Sequence, residues 1–342
     1  MKLQFLANKE LLQTTHTIFS CLSYKQRFGF LNKNIAKIQK FMQINCNSLS
    51  LQPIIVNSMK VLTTNQSLNS CLASLKTPVS SLGFVPTMGA LHQGHLSLIK
   101  RAIKENEIVV VSIFVNPTQF NNAGDLETYP RDLKQDLKRI KSIGSLGEII
   151  VYAPSEAAVY GNSITKEAFD FGGLELQMEG RFRPGHFQGV GTVVQKLLDI
   201  VGPTRAYFGE KDFQQLQIIK KLVKMTRANV KIVACPTERE PNGLAMSSRN
   251  TRLTTAERSH ASKIHNVLKM TKHKFRHTPF DEIMQWGVDQ FEKDPTINLE
   301  YFQISEVSTL KPAFKIAPQK KYRAFISVYI RNIRLIDNIA LN

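Results

Sequence analysis

The sequence predicts an α/β fold, a mostly parallel sheet flanked by helices, with a smaller α+β region toward the carboxyl end. Three observations predict it. Short runs rich in β-branched residues alternate with helix-periodic segments between residues 81 and 235. One run, residues 108–115 (IVVVSIFV), is apolar without alternation, as a strand buried on both faces is. Near Pro236 the alternation stops, and a polar loop gives way to a basic helical stretch and two late strand candidates.

Residues 81–87 (SLGFVPT) form a short apolar run closed by Pro86. Residues 95–105 place Leu96, Leu98, Ile99, Ala102 and Ile103 at helical spacing, and residues 129–143 read as a helix with charged outer positions. Residues 148–153 give a third strand. Val190, Val193, Val194, Leu197, Leu198 and Val201 then mark one face of a buried helix. Residues 205–208 and 230–235 are strands, with a helix over 213–226 between them. Strands alternating with helices imply βαβ units, right-handed crossovers and parallel pairing. The sequence therefore predicts a Rossmann-like domain over residues 59–235. A smaller C-terminal α+β domain follows over 236–342, with a basic helix at 255–275 and strands at 301–304 and 322–329.

Residues 1–58 read differently. They carry Lys2, Lys9, Lys25, Arg27, Lys33, Lys37 and Lys40 against Glu10 alone, and are rich in Asn, Gln and Ser. The composition fits a transit peptide, and also a misassigned start upstream of Met59, which is the favoured reading because Met59 opens a fresh segment, MKVL. Either reading makes this a poorly ordered segment without chemistry. The net charge is +18, of which the segment holds +6. The rest can serve anionic substrates or solubility, and no Lys/Arg stripe with interleaved aromatics marks a nucleic-acid groove. No apolar run reaches the roughly 18 residues of a membrane span. Cys21, Cys46, Cys71 and Cys235 form no CxxC pair, which points to a reduced, cytoplasmic chain without a zinc site.

In an open parallel sheet, ligands bind beyond the carboxyl ends of the strands. Polar clusters fall at those positions. After the first strand come Met88, Gly89, Ala90, Leu91, His92, Gln93, Gly94 and His95. Two imidazoles three residues apart share the first turn of a helix, where free N–H groups favour phosphate. Asn116 and Gln119 follow the second strand, neutral amides suited to orienting a hydroxylated carboxylate. Gly209, Glu210, Lys211, Asp212 and Gln215 follow the fourth. A lysine in that turn can reach phosphate oxygens as a mobile point charge. After the fifth come residues 240–250, among them Met246, Ser247, Ser248 and Arg249, two hydroxyls and a guanidinium able to clamp a triphosphate. Any one cluster alone is an ordinary polar loop; four on one rim are a site.

Together PTMGALHQGH, VNPTQF, YPRDLKQDL, MEGRFRPGHFQGVG, GEKDFQQLQ and NGLAMSSRN resemble the pantothenate synthetase (pantoate–β-alanine ligase) family of the HxGH nucleotidyltransferase superfamily. The resemblance runs over roughly residues 59–342 and includes RAFISVYI and RLIDNIAL. It implies ATP-dependent condensation of pantoate with β-alanine through a pantoyl-adenylate, releasing AMP and pyrophosphate. Residues 88–95 would line the ATP site, with His95 as proton donor and His92 beside it on the phosphates. Residues 209–212 would hold the nucleotide, with Lys211 on the phosphates. Met246, Ser247, Ser248 and Arg249 would close over ATP as a KMSKS-like loop. Gln119 would meet pantoate and β-alanine, Gln215 pantoate, and Asn116 would flank that pocket. Asp136 would help hold Mg²⁺, although Gln135 stands where some members have an acid. Glu238 replaces a usually apolar residue near the adenine, so its backbone would bind and its carboxylate point away. The resemblance also implies a homodimer. The alternative is another adenylyltransferase of the superfamily, whose product would retain the nucleotide. A tRNA-charging protein would need an anticodon-reading domain, for which the roughly 107 residues after Cys235 leave little room.

Overall fold

The computed structural model describes residues 59–77, 80–120, 123–144 and 147–342. The expectation for residues 1–58 lies outside them. From Met59 onward the described chain is one compact unit. Its elements run β1 (Lys60–Leu62), α1 (Asn65–Leu75), β2 (Leu82–Thr87), α2 (Gln93–Glu105), β3 (Ile108–Ile113), α3 (Ala123–Glu127), α4 (Leu133–Lys141), β4 (Glu148–Tyr152), α5 (Glu156–Tyr160), α6 (Met178–Phe182) and α7 (His186–Val201). They continue with β5 (Arg205–Gly209), α8 (Phe213–Thr226), β6 (Lys231–Cys235), α9 (Thr255–His260), α10 (Lys263–Lys274), α11 (Phe280–Glu292), β7 (Asn298–Glu306), β8 (Tyr322–Ile330) and β9 (Ile333–Ala340).

The first six strands form one parallel sheet in the order β1-β4-β3-β2-β5-β6. From β2 the chain winds outward through β3 and β4, then returns to β5 on the other side of β2. The order therefore reverses between β2 and β5, which is where a doubly wound sheet opens a crevice. The register shows the opening: β2 pairs with β5 only at Gly83–Arg205 and Phe84–Ala206, whereas β2 pairs with β3 along all six residues from Leu82 to Thr87. Beyond Phe84 and Ala206 the two strand ends are free to diverge.

Both faces of the sheet are buried, which is why its strands read as unbroken apolar runs. Phe84, Val110, Ile150, Ala206 and Phe208 pack beneath α7 and α8, with Val190, Val194, Leu197, Leu216 and Ile219. Val85, Val109, Val111, Val151, Tyr207 and Val233 face Leu96, Ile99, Ala102 and Ile140.

Strands β7, β8 and β9 form a separate antiparallel sheet, with β8 in the middle. Alternation along β8 divides its work. Tyr322, Ala324, Ile326, Val328 and Ile330 pack with Ile264, Val267, Leu268 and Ile283 of α10 and α11. Phe325, from the opposite face, joins the core of the parallel sheet and meets Phe213 with ring centroids 6.0 Å apart.

Several elements depart from the sequence expectation, among them the helices α1, α3, α5, α6 and α11, where the sequence reading assigns no helix. Strand β1 was not expected, and at three residues it adds to the edge beside β4. The basic stretch 255–275 is two helices, α9 and α10, separated at Ala261 and Ser262. Strand β9 completes the second sheet although Asp337 and Asn338 interrupt its apolar pattern.

Candidate active site

The crevice between β2 and β5 holds a cavity of about 270 Å³. Its wall includes Met88, His92, Gly94, His95, Asn116, Gln119, Gly209, Lys211, Asp212, Gln215, Glu238, Met246, Ser247, Ser248 and Arg249. The four rim clusters therefore converge. Gly89, Ala90, Leu91, Gln93, Glu210 and Asp136 stand off that wall. Leu91 is instead fully buried in the core under α2.

The HxGH element is a helix cap built from histidines. His92 is the N-cap of α2 and accepts the Gly94 N–H on Nδ1 at 3.2 Å, while His95 Nδ1 accepts the His92 N–H at 3.3 Å. This is the reciprocal geometry of a capping box, with imidazole nitrogens in place of hydroxyl and carboxylate. An imidazole that accepts through Nδ1 carries its proton on Nε2, so both rings offer Nε2–H as donor. Burial, His95 and Lys211 push His92 down to about 2, and burial with Lys211 and Arg139 holds His95 near 4 against the opposing pull of Asp212. Both rings are thus neutral at pH 7. Gly94 is required by the close approach: a Cβ there would lie 2.9 Å from His92 Cε1. That same point would be 3.6 Å from the Met246 Cβ, so the loop carrying Met246, Ser247 and Ser248 already lies against the histidine turn.

Asp136 stands behind this turn. It is 2% exposed, and its two oxygens accept the N–H groups of Leu91 at 2.7 Å and Ala90 at 3.0 Å. Burial raises its pKa against those two bonds. The carboxylate holds the loop that delivers His92 and His95.

The amide side of the cavity is equally organised. Asn116 is 1% exposed and caps the 3₁₀ turn Pro117–Gln119. Its Oδ1 accepts from Thr118 N at 3.3 Å, Thr118 Oγ1 at 3.1 Å and the Tyr160 hydroxyl, and its Nδ2 donates to Gly189 O at 3.3 Å. Asn116 therefore builds the turn that presents Gln119. Gln119 Oε1 accepts from Asn116 Nδ2 at 3.3 Å, and its Nε2 donates to the Met88 sulfur. Helix α7 can approach this turn because Gly189 has no side chain; a Cβ would sit 2.2 Å from Thr118 O. The Gln214–Gln215 pair divides. Both line the cavity, but the buried Gln214 spends its amide on Glu179 N, Leu174 O and Gln177 O, whereas among the described residues no such bonds tie down the amide of Gln215.

Several cavity groups carry no signal as isolated residues. His186 donates from Nδ1 to Gln119 O at 2.8 Å, with Arg183 Nη2 on the same oxygen at 3.3 Å. Burial and Arg183 push the imidazole down to about 3. Glu179 accepts two bonds from Arg334, at 2.6 and 2.8 Å, and one from the Tyr301 hydroxyl at 2.7 Å. Burial opposes ionisation there, but Arg334 overrides it and holds the carboxyl near 2. Glu179, Arg183 and His186 lie within MEGRFRPGH, which the sequence marked as a motif without assigning roles. The Glu238 carbonyl accepts the Met246 N–H at 2.9 Å, so the backbone of Glu238 braces the loop it precedes.

A histidine-capped helix and a lysine turn at the switch point of a parallel sheet, with a Ser-Ser-Arg loop across them, define an α/β enzyme of the HxGH nucleotidyltransferase type. The chain belongs to the pantoate–β-alanine ligase family, whose model matches residues 60–340. It is 54% identical over 261 residues to the pantothenate synthetase of Flavobacterium psychrophilum, covering 76% of this chain and 92% of that protein. It is 49% identical to that of Christiangramia forsetii, covering 83% and 100%. Among solved structures, the pantothenate synthetase of Thermus thermophilus superimposes with a TM-score of 0.75 at 36% identity, covering 83% of this chain and 99% of that one. The pantoate–β-alanine ligase of Francisella tularensis, complexed with β,γ ATP and β-alanine, gives 0.67 at 38% identity, covering 83% and 98%. Among the described residues, no helix is long and apolar enough to cross a membrane.

Proposed function

We propose that the chain condenses pantoate with β-alanine at the expense of ATP, through a pantoyl-adenylate. The observation that carries the reading is the convergence of His92, His95, Lys211, Ser247, Ser248 and Arg249 with Gln119 and Gln215 around one cavity. The first group suits a triphosphate; the second suits a hydroxylated carboxylate.

A carboxylate does not react with an amine because its leaving group is poor. In the first step a pantoate carboxylate oxygen attacks the α-phosphorus of ATP, and the bond to the β-phosphate oxygen breaks. Negative charge grows on the departing pyrophosphate. The Nε2–H groups of His92 and His95, the Lys211 ammonium and the Ser247 and Ser248 hydroxyls meet that charge from fixed positions. His95 acts as a neutral hydrogen-bond donor in the free enzyme, and the charge of a bound triphosphate raises its proton affinity. In the second step the β-alanine amine attacks the acyl carbon, and AMP leaves with the electron pair of the anhydride bond. Gln119 orients both carboxylate substrates. The loop of residues 246–249, folded against Gly94, keeps water from the anhydride.

Asp136 does not fit a Mg²⁺-ligand role, because both its oxygens are engaged by backbone N–H groups and it is 2% exposed. Among the described residues no cluster of three or more His, Cys, Asp or Glu could hold a metal. The family resemblance supports a homodimer and a cytoplasmic enzyme; light scattering tests the former.

The test is AMP and pyrophosphate release from ATP with D-pantoate, with and without β-alanine. Pyrophosphate without β-alanine, and stoichiometric AMP and pantothenate with it, support the reading. A product that retains the nucleotide overturns it in favour of another adenylyltransferase.

A further inference from the structure

We propose that Asn338 and Arg323, on the antiparallel sheet, are positioning residues that fix Lys211 at the nucleotide site; the inference rests on the reading of Lys211 above. Lys211 sits in the 3₁₀ turn Glu210–Asp212, which has no side-chain cap of its own, and Asp212 does not cap the helix that follows. A lysine side chain is long and rotatable, so its ammonium is placed only as well as its backbone is held. The turn is held from outside. Asn338 Nδ2 donates to Glu210 O at 3.0 Å and to Lys211 O at 2.8 Å. Both amide hydrogens are therefore committed to the backbone of the turn, and none is left for a ligand.

Arg323 braces the same arrangement. Its Nη1 donates to Asn338 Oδ1, which orients the Asn338 amide so that the nitrogen faces the turn. Its Nη2 donates to Glu210 Oε2 at 3.0 Å. The guanidinium lies over the ring of Phe213, 3.9 Å from its centroid, at the first residue of α8. Asn338 and Arg323 are 4% and 8% exposed, so water competes poorly for these bonds. The strand also explains the pairing of roles. Asp337 precedes Asn338 and points to the opposite face. It binds Arg239 through both oxygens, at 2.6 and 3.0 Å, in the segment leading to Met246 and Ser247. One dipeptide on β9 thereby ties down both chain segments that grip the nucleotide.

The experiment is a double-mutant cycle on pantoate-dependent pyrophosphate release. Asn338→Asp keeps the shape and removes both N–H donors. It lowers kcat by about tenfold or more, since small misplacements of a catalytic group have effects of that size. The KM for pantoate stays within about twofold, because the amide wall is untouched. In a Lys211→Ala background the same change has no further effect. An equal loss in both backgrounds, or no loss in the first, overturns the inference. A Lys211→Ala enzyme of full activity instead removes the reading of Lys211 itself. If Asn338→Asp fails to fold by circular dichroism, Arg323→Lys replaces it. That change keeps the charge toward Glu210 but loses the fork that bridges Glu210 and Asn338, and the same non-additivity decides.

Discussion

His95 accepts the backbone N–H of His92 through Nδ1 at 3.3 Å, and this one bond fixes where the imidazole carries its proton. The reciprocal bond of the capping box that starts α2 and the donor that faces the cavity belong to the same side chain. His95→Ala removes both, and pantoate-dependent pyrophosphate release falls by about 10²-fold or more, as for loss of one preorganised donor. Single-turnover measurement with saturating ATP checks it; a near wild-type rate would exclude the role.

Gln119 tests the amide wall. Gln119→Ala raises the KM for pantoate by about tenfold, the value of one hydrogen bond, and changes that for ATP by less than about twofold. Steady-state kinetics with each substrate varied in turn decides. An equal loss for both substrates would mean that Gln119 faces the nucleotide.

Asp136 separates a structural from a metal-binding role. Replacing it by Ala leaves the N–H groups of Ala90 and Leu91 without acceptors in a buried site. That destabilises the protein by about 1–3 kcal/mol with no ATP or Mg²⁺ present. Urea unfolding of the free protein measures it. An unchanged midpoint together with a shifted Mg²⁺ requirement would restore the metal reading.

Glu179 joins α6 to the antiparallel sheet through Arg334 and Tyr301. Glu179→Gln leaves the Arg334 guanidinium in a buried site without that carboxylate. The loss is about 3–5 kcal/mol, as for other broken buried pairs, and is read from the same unfolding experiment. A change below about 1 kcal/mol would mean that Glu300, the other partner of Arg334, suffices.

His186 gives a pH signature. Burial holds its pKa near 3, below the ordinary value of 6.5. Between those values the unfolded chain binds a proton that the folded chain refuses. The stability is therefore fully present above about pH 6.5 and declines as pH falls toward 3. The slope for one such group approaches about 1.4 kcal/mol per pH unit. Between pH 6.5 and 5, His186→Asn flattens the measured dependence by up to that slope, and His92, His95 and His265, each also held below its ordinary value by burial, still contribute to it. An unchanged slope would show that His186 takes up its proton in the folded state.

The legibility of this fold follows from what each signal depends on. Strand β3 and helix α8 were readable because their patterns are local: a double-sided burial run and a 3.6-residue period. Strand β9 was not, since Asp337 and Asn338 are buried by partners about a hundred residues away, Arg239 and the Lys211 turn. The break between α9 and α10 carries no Gly or Pro, so nothing in the sequence announces it. At the site, the HxGH spacing was visible, but its use as a capping box was not.

By itself the sequence determined the strand-helix alternation, the rim positions of the polar clusters and the family, because periodicity and motif spacing are properties of neighbouring residues. Tertiary structure alone decided which members of those clusters face the cavity. Gln119 and Lys211 line the cavity while Glu210 stands off it, the Gln214 amide is spent on bracing α6, and Asp136 supports the histidine turn rather than the cavity wall. Those choices depend on which backbone groups lie opposite after folding, and hydrogen bonds between segments tens of residues apart leave no periodic trace in the chain.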